Sequence, residues 1–139
     1  MATTRLFKTW DVEGDLAPYR IVTFADTAWF VAQASDPGET LIGTTDELGR
    51  QSNGRADIAM SAQPEVEAGG AVAFGDALTS DAQGRAVKAT ATGQHIIGFA
   101  LMAAQAAGDI IDYIYAPGLF AAVVEEEEAA TPPSQGGNS

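Results

Sequence analysis

The sequence predicts an all-β fold, a small barrel or sandwich built from two similar β units, and three observations support this. Short segments rich in aromatic and β-branched residues occur throughout residues 17–118. Turn residues separate them at intervals of roughly 8–12 residues, a spacing typical of barrels and sandwiches. The two halves of this zone, about 19–64 and 75–117, also carry a similar pattern. We therefore expect one β domain with a flanking segment at each end.

The predicted strands lie between recognisable turns. Asp36-Pro37-Gly38 has turn chemistry, because Pro presets φ and Gly accepts a left-handed conformation. Asn53-Gly54 is a hairpin signal, and Gly84 after Asp81 suits a type I turn closed by a bulge. The predicted strands are Tyr19–Phe24, Trp29–Ala34, Thr40–Thr44, Ala77–Ser80, Ala86–Ala89, His95–Met102 and Ile110–Tyr115.

An internal duplication is the most informative feature of the chain. The proposed alignment pairs Val22-Thr23 with Leu78-Thr79, Val31 with Val87, Ile42-Gly43 with Ile97-Gly98, Asp57-Ile58 with Asp109-Ile110, and Pro64 with Pro117. A single unit of this size could not bury its own apolar face. The duplication therefore predicts two units packed face to face or closed into one barrel.

The two flanking segments differ in character. Residues 1–16 form a predicted N-terminal arm in which Leu6, Phe7 and Trp10 are mixed with charged residues. Large apolar side chains on an arm are candidates for partner contact, although they could equally fold back onto the chain's own barrel. Residues 119–139 form a C-terminal segment whose acidic, Pro/Gly-rich tail has the composition of a flexible segment.

Composition excludes several classes of function. The formal net charge is −12, from 19 acidic and 7 basic residues, and such a surface repels nucleic-acid backbones. The chain has no cysteine, so neither a disulfide nor a Cys-ligated metal site is possible. No apolar run resembles a signal peptide or a membrane span. We expect a soluble protein made in the cytoplasm, with no nucleic-acid or membrane partner.

The second half of the chain resembles a known family. Residues 66–89 read VEAGGAVAFGDALTSDAQGRAVKA, and residues 97–101 and 107–111 read IGFAL and AGDII. These stretches are similar to the AG-x5-GD-x-[LV]-TSD-x2-G-[KR]-AV and IG-x-AL…AGD-x-[IV] patterns of the capsid decoration (head cement) proteins of tailed bacteriophages. The similarity covers about residues 66–115 and consists of turn glycines and strand residues, so it specifies a fold better than an activity.

The resemblance implies a structural role on a virion. A family member would bind the outer surface of an assembled capsid, bridge subunits of the major capsid protein and stabilise the shell. It would act as a homo-oligomer, with a trimer expected, and it would be synthesised in the host cytoplasm. In that case Leu6, Phe7 and Trp10 are the candidate contact residues, and no cofactor is expected. The alternative is a receptor- or glycan-binding module on a virion surface, with an aromatic patch formed by Trp29, Tyr113 and Tyr115.

Residues with the potential for catalysis or metal binding have simpler interpretations. Asp26-Thr27-Ala28 resembles the motif of retropepsin-like proteases, but Asp26-Thr27 is better explained as a hairpin turn. His95 is the single histidine, so a His-rich metal site cannot form. The alternating acids of residues 11–15 lack the remaining ligand spacing of a calcium loop. We therefore expect a protein that is not an enzyme.

Overall fold

The computed structural model describes residues 6–122, which form ten β-strands and no helix, so these residues contain no helix that could cross a membrane. The predicted acidic tail lies outside the described residues. In chain order the strands are β1 (Phe7–Val12), β2 (Ile21–Phe24), β3 (Phe30–Gln33), β4 (Gly43–Thr45), β5 (Arg55–Ala59), β6 (Glu65–Glu67), β7 (Ala77–Ser80), β8 (Ala86–Lys88), β9 (His95–Ala100) and β10 (Ile110–Leu119).

The strands form two units of five, which confirms the predicted fold class. In the first unit the order β1-β3-β2-β4-β5 closes into a barrel, because β1 pairs with both β3 and β5. In the second unit the order is β6-β10-β9-β7-β8. A parallel bridge between Ala68 and Ala86 connects the β6 end of this sheet to β8. This bridge corresponds to the parallel β1–β3 pair of the first unit, so both units share one topology.

Strand register shows which residues are equivalent in the two units. Val22 pairs with Gly43 and Leu78 pairs with Gly98, as the sequence alignment predicted. Three other matches were wrong. Val31 corresponds to Ala86 rather than Val87, because Val31 pairs with Phe24 and Ala86 pairs with Ser80.

The second wrong match concerns β5 and β10. Ala59 pairs with Thr44 and Ile114 pairs with Phe99, so Asp57 corresponds to Asp112 rather than to Asp109. The Pro64–Pro117 match also fails, because Pro64 precedes β6 whereas Pro117 lies within β10. The β2–β3 connection is one residue longer in the first unit, which displaced the Val31 match. The separation from Gly43 to Asp57 equals that from Gly98 to Asp112, so the second error came from aligning the two Asp-Ile pairs of the sequence. A shift of one residue moves a side chain to the opposite face of a strand.

The predicted N-terminal arm contains a strand of the barrel. Phe7–Val12 runs antiparallel to β5 over five residue pairs, from Phe7–Ala59 to Asp11–Arg55. At its other edge, Asp11 and Val12 pair in parallel with Phe30 and Val31. The described part of the segment therefore folds back onto the barrel, which was one of the two outcomes the sequence allowed.

Two hydrophobic clusters lie on opposite sides of β2. Val22 packs inside the barrel with Val12, Val31 and Ile58. The adjacent Ile21 belongs to the second cluster, together with residues of the second unit such as Leu78, Ile97 and Tyr113. Because consecutive strand residues point to opposite faces, β2 is buried on both sides. The part of the barrel's outer wall around Ile21 of β2 is thus covered by the second unit.

Polar contacts also join the units. The hydroxyls of Thr44 and Tyr113 share a buried hydrogen bond of 3.0 Å, and the Tyr115 hydroxyl donates to the Ile42 carbonyl at 2.7 Å. Arg20 forms an ion pair with Glu67 at 3.3 Å and also donates to the Gln83 carbonyl. These bonds fix the barrel against the second unit at several points.

Candidate functional site

The predicted contact residues occupy the start of the barrel. Leu6 is 66% exposed and directly precedes β1, and Phe7 is 41% exposed on that strand. Backbone contacts hold both positions: the Leu6 amide donates to Ser61 Oγ, the Met60 amide donates to the Leu6 carbonyl, and Phe7 pairs with Ala59 of β5. Leu6 and Phe7 are thus two adjacent, exposed apolar residues at the start of β1, and we call them together the β1 surface.

Trp10 does not belong to the β1 surface. Its ring is partly buried against the barrel cluster that contains Val12 and Ile58. The Lys8 ammonium lies 5.1 Å from the Trp10 ring centroid, a cation–π distance. Strand alternation separates Trp10 from Phe7, because Trp10 shares a face with Val12 and Phe7 lies on the other face. Trp10 is thus partly buried, whereas Leu6 and Phe7 are exposed.

A second exposed apolar surface lies on the outer face of the second unit. Phe99 and Ile114 are direct neighbours across β9 and β10, and they are 40% and 42% exposed. Ala77 of β7 pairs with Phe99 on its other side. We call Phe99 and Ile114 the β9–β10 surface. The alternation along Ile110–Tyr115 places Ile114 on the face opposite to Tyr113, but the sequence analysis did not identify this surface.

The aromatic patch of the alternative hypothesis does not form. Tyr113 is fully buried, and this burial raises the pKa of its phenol. Tyr115 is partly buried, and burial also raises the pKa of its phenol. Trp29 lies just before β3 of the barrel and is 78% exposed. The two tyrosines connect the units, whereas Trp29 lies on the surface, so the three do not build one platform.

The residues considered for catalysis are dispersed. Asp26 is exposed in the turn between β2 and β3, where the Ala25 amide donates to the Phe30 carbonyl and closes the hairpin. His95 begins β9, and its amide donates to the Pro37 carbonyl. The bonds at both positions are thus backbone bonds that close a hairpin and begin a strand.

The acids of residues 11–15 also have separate contacts. Asp11 Oδ1 accepts from Arg55 Nε at 3.1 Å. Glu13 accepts from the Thr27 hydroxyl at 2.9 Å. Within residues 6–122, no group of three or more His, Cys, Asp or Glu side chains is placed to hold a metal ion.

Comparison with known proteins identifies the family. The solved structure of the head fiber gp8.5 N base of bacteriophage phi29 has a similar fold, with a TM-score of 0.55 and 20% sequence identity. The alignment covers 81% of this chain and 95% of that one. No curated protein matches the sequence. The family model for phage cement proteins matches residues 13–114 of the 139. The chain therefore belongs to the phage cement protein family and has a structural role associated with the phage capsid.

Proposed function

We propose that this protein binds the outer surface of a phage capsid and stabilises the shell by bridging adjacent subunits of the major capsid protein. The observation that carries the proposal is the family match over residues 13–114, which spans β2 to β9 and the first half of β10. The finished virion is the proposed location, after synthesis in the host cytoplasm. The net charge of −12 allows an acidic surface to complement basic patches on the shell.

Bridging requires at least two contact surfaces on one particle, and the fold offers one on each unit. The β1 surface, Leu6 and Phe7, belongs to the barrel, and the β9–β10 surface, Phe99 and Ile114, belongs to the second unit. Burial of such side chains against a partner removes apolar area from water, which stabilises the complex. We assign the β1 surface to one capsid subunit. The β9–β10 surface then contacts either a neighbouring subunit or another copy of the chain.

A bridge resists separation of the subunits only when its two ends are firmly joined. The ends are joined here by the Thr44–Tyr113 hydrogen bond, the Tyr115–Ile42 hydrogen bond and the Arg20–Glu67 ion pair. Separating two capsid subunits would therefore require loss of a surface contact or rupture of this buried connection. Trp10 has a supporting role in this scheme, because its side chain packs from β1 against the hydrophobic cluster of the barrel.

The proposed oligomer is a trimer. Three linked copies would engage several shell subunits at once, and multivalent binding raises avidity without any strong single contact. Sedimentation velocity of the free protein measures this directly. A monomer at micromolar concentration would exclude a preformed trimer and would leave assembly on the shell as the source of multivalency.

Co-sedimentation with expanded, undecorated shells of the phage that encodes the chain tests the function. We expect saturable binding at a fixed ratio to the major capsid protein, and decorated shells that withstand higher temperature than bare ones. Failure of well-folded protein to bind would overturn capsid decoration. Binding without any gain in shell stability would overturn the bridging mechanism alone.

A further inference from the structure

An aromatic notch lies in the barrel wall, and its lining shares no residue with either apolar surface. It has a volume of about 210 Å³ and is lined by Lys8, Thr9, Trp10, Asp11, Trp29 and Arg55. Strand pairing explains its position: the β1–β3 register begins at Asp11–Phe30, so Trp29 reaches the notch just where β3 starts. The rest of the lining comes from β1 and its partner β5, which gives the notch fixed walls.

Trp29 is held in an unusual conformation at the rim of this notch. Its side chain is 78% exposed, and its φ of +72° is a left-handed value that bulky residues rarely adopt. Such backbone strain is retained where the surrounding structure imposes it, and it concentrates at ligand-binding sites. The hairpin supplies the restraint here, through the bonds of Ala25 to Phe30 and of Phe30 to Thr27.

The polar groups of the notch can both donate and accept hydrogen bonds. Arg55 uses Nε to bind Asp11, and that pair does not involve the other four N–H donors of the guanidinium. Asp11 Oδ2 is an acceptor that this pair does not use. Lys8 adds three donors above the Trp10 ring. An exposed indole next to mixed donors and acceptors suits a ligand that has both an apolar face and hydroxyl groups.

From this arrangement we infer that the notch binds a neutral oligosaccharide, with one sugar ring stacked on Trp29 and its hydroxyls bonded to Arg55 and Asp11. A phosphate-bearing ligand is disfavoured, because Asp11 lies in the notch and the chain carries a net charge of −12. An apolar peptide is disfavoured as well, because four of the six lining residues are charged or polar. The lining includes no residue of the two apolar surfaces, so sugar binding would be a second activity of a capsid-bound protein.

Two indole N–H signals make the site accessible to NMR, since the chain has two tryptophans. We would titrate 15N-labelled protein with cellotetraose, maltotetraose and tetra-N-acetylchitotetraose, each to about 10 mM, which covers dissociation constants in the millimolar range. The expected result is a saturable shift of the Trp29 indole and of backbone amides of residues 8–11 with at least one of the three. No saturable shift with any of them would overturn the inference.

Variants then locate the binding. We expect Trp29→Ala to weaken binding by about tenfold or more, since stacking on an aromatic ring supplies much of the affinity at such sites. Phe24→Ala is the matched control: Phe24 is exposed on the same hairpin but does not line the notch, so this variant should bind normally. Equal binding by wild type and Trp29→Ala would overturn the assignment. Trp29→Ala should still sediment with shells, which separates this test from that of capsid decoration.

Discussion

The hydroxyl of Tyr113 and the hydroxyl of Thr44 lie 3.0 Å apart in the interior, with neither residue accessible to solvent. Tyr113 belongs to β10 of the second unit and Thr44 to β4 of the barrel, so this hydrogen bond crosses the boundary between the units. A buried polar group requires a partner, because leaving it unpaired costs its full desolvation penalty. The bond therefore stabilises one particular packing of the two units.

The first prediction concerns this bond. Tyr113→Phe and Thr44→Val should each lower the free energy of unfolding by about 1–3 kcal/mol. Each substitution removes one hydroxyl of the pair and leaves the other hydroxyl buried without that partner. The double variant should lose less than the sum, which a double-mutant cycle in urea would measure. Strictly additive losses would contradict the coupling.

Thr79→Val provides the control for that cycle. The Thr79 hydroxyl is buried, and it has no hydrogen-bond partner among residues 6–122. Removing an unsatisfied polar group should leave stability unchanged or raise it, so the same substitution has opposite effects at positions 44 and 79. A loss at position 79 as large as that at position 44 would show that valine is poorly accommodated in these strands in general.

The second prediction is a loss of stability at alkaline pH. Burial raises the pKa of Tyr113, so the folded chain keeps the phenol proton while the unfolded chain loses it from about pH 10. Unfolding then releases a proton, and stability should fall by about 1.4 kcal/mol per pH unit between the unfolded and the folded pKa. In Tyr113→Phe, unfolding should release about one proton fewer in this pH range, so the unfolding free energy should depend less steeply on pH. An unchanged slope in the variant would contradict this role of Tyr113.

The second unit was easier to predict than the first. β7 was predicted with the bounds Ala77–Ser80 that the structure shows, because turn residues flank it on both sides. β1 was missed as a strand, since its charged residues resemble a solvated segment. Its partners are also distant: β5 follows about 45 residues later and is brought to β1 only by closure of the barrel. Local pattern carries no information on such non-local pairing.

The aromatic patch predicted for the alternative function illustrates the same limit. Alternation along Ile110–Tyr115 puts Ile111 and Tyr113 on one face and Ile114 on the other, and the burial pattern of β10 agrees. Alternation alone does not show which face is covered, because the covering element here is the barrel wall of the other unit. For that reason Tyr113 was considered for a surface patch, although it is among the most deeply buried side chains.

The third prediction concerns two equivalent glycines. A Cβ on Gly43 would lie 2.5 Å from the Ala59 carbonyl oxygen, and a Cβ on Gly98 would overlap the equivalent carbonyl of Ile114. Both contacts involve backbone of the adjacent strand, which cannot move without disturbing the sheet. We expect Gly98→Ala to cost about 3 kcal/mol or more in urea unfolding. Gly70→Ala, where a Cβ meets no atom within 4 Å, should change stability little. Similar losses for the two variants would refute the steric explanation.

The fourth prediction tests the β1 surface. Deleting residues 1–16 would remove β1 and open the barrel, so point variants are the sharper test. Leu6→Ser combined with Phe7→Ser should weaken binding to undecorated shells by about tenfold or more, because exposed apolar anchors dominate such interfaces. Leu48→Ser is the control, since Leu48 is 57% exposed but lies outside both apolar surfaces. Full affinity of the double variant would remove the β1 surface from the proposed mechanism.

The fifth prediction concerns the strain at Trp29. Its φ of +72° disfavours any residue with a Cβ, whereas glycine adopts this conformation readily. Trp29→Gly should therefore be more stable than Trp29→Ala by about 1 kcal/mol in urea unfolding, although both variants lose the same exposed indole. If the alanine variant proves equally stable, the left-handed conformation at position 29 carries no strain. If Trp29→Gly is the more stable variant and no longer binds oligosaccharide, the strained backbone is explained by the requirement for the indole in binding.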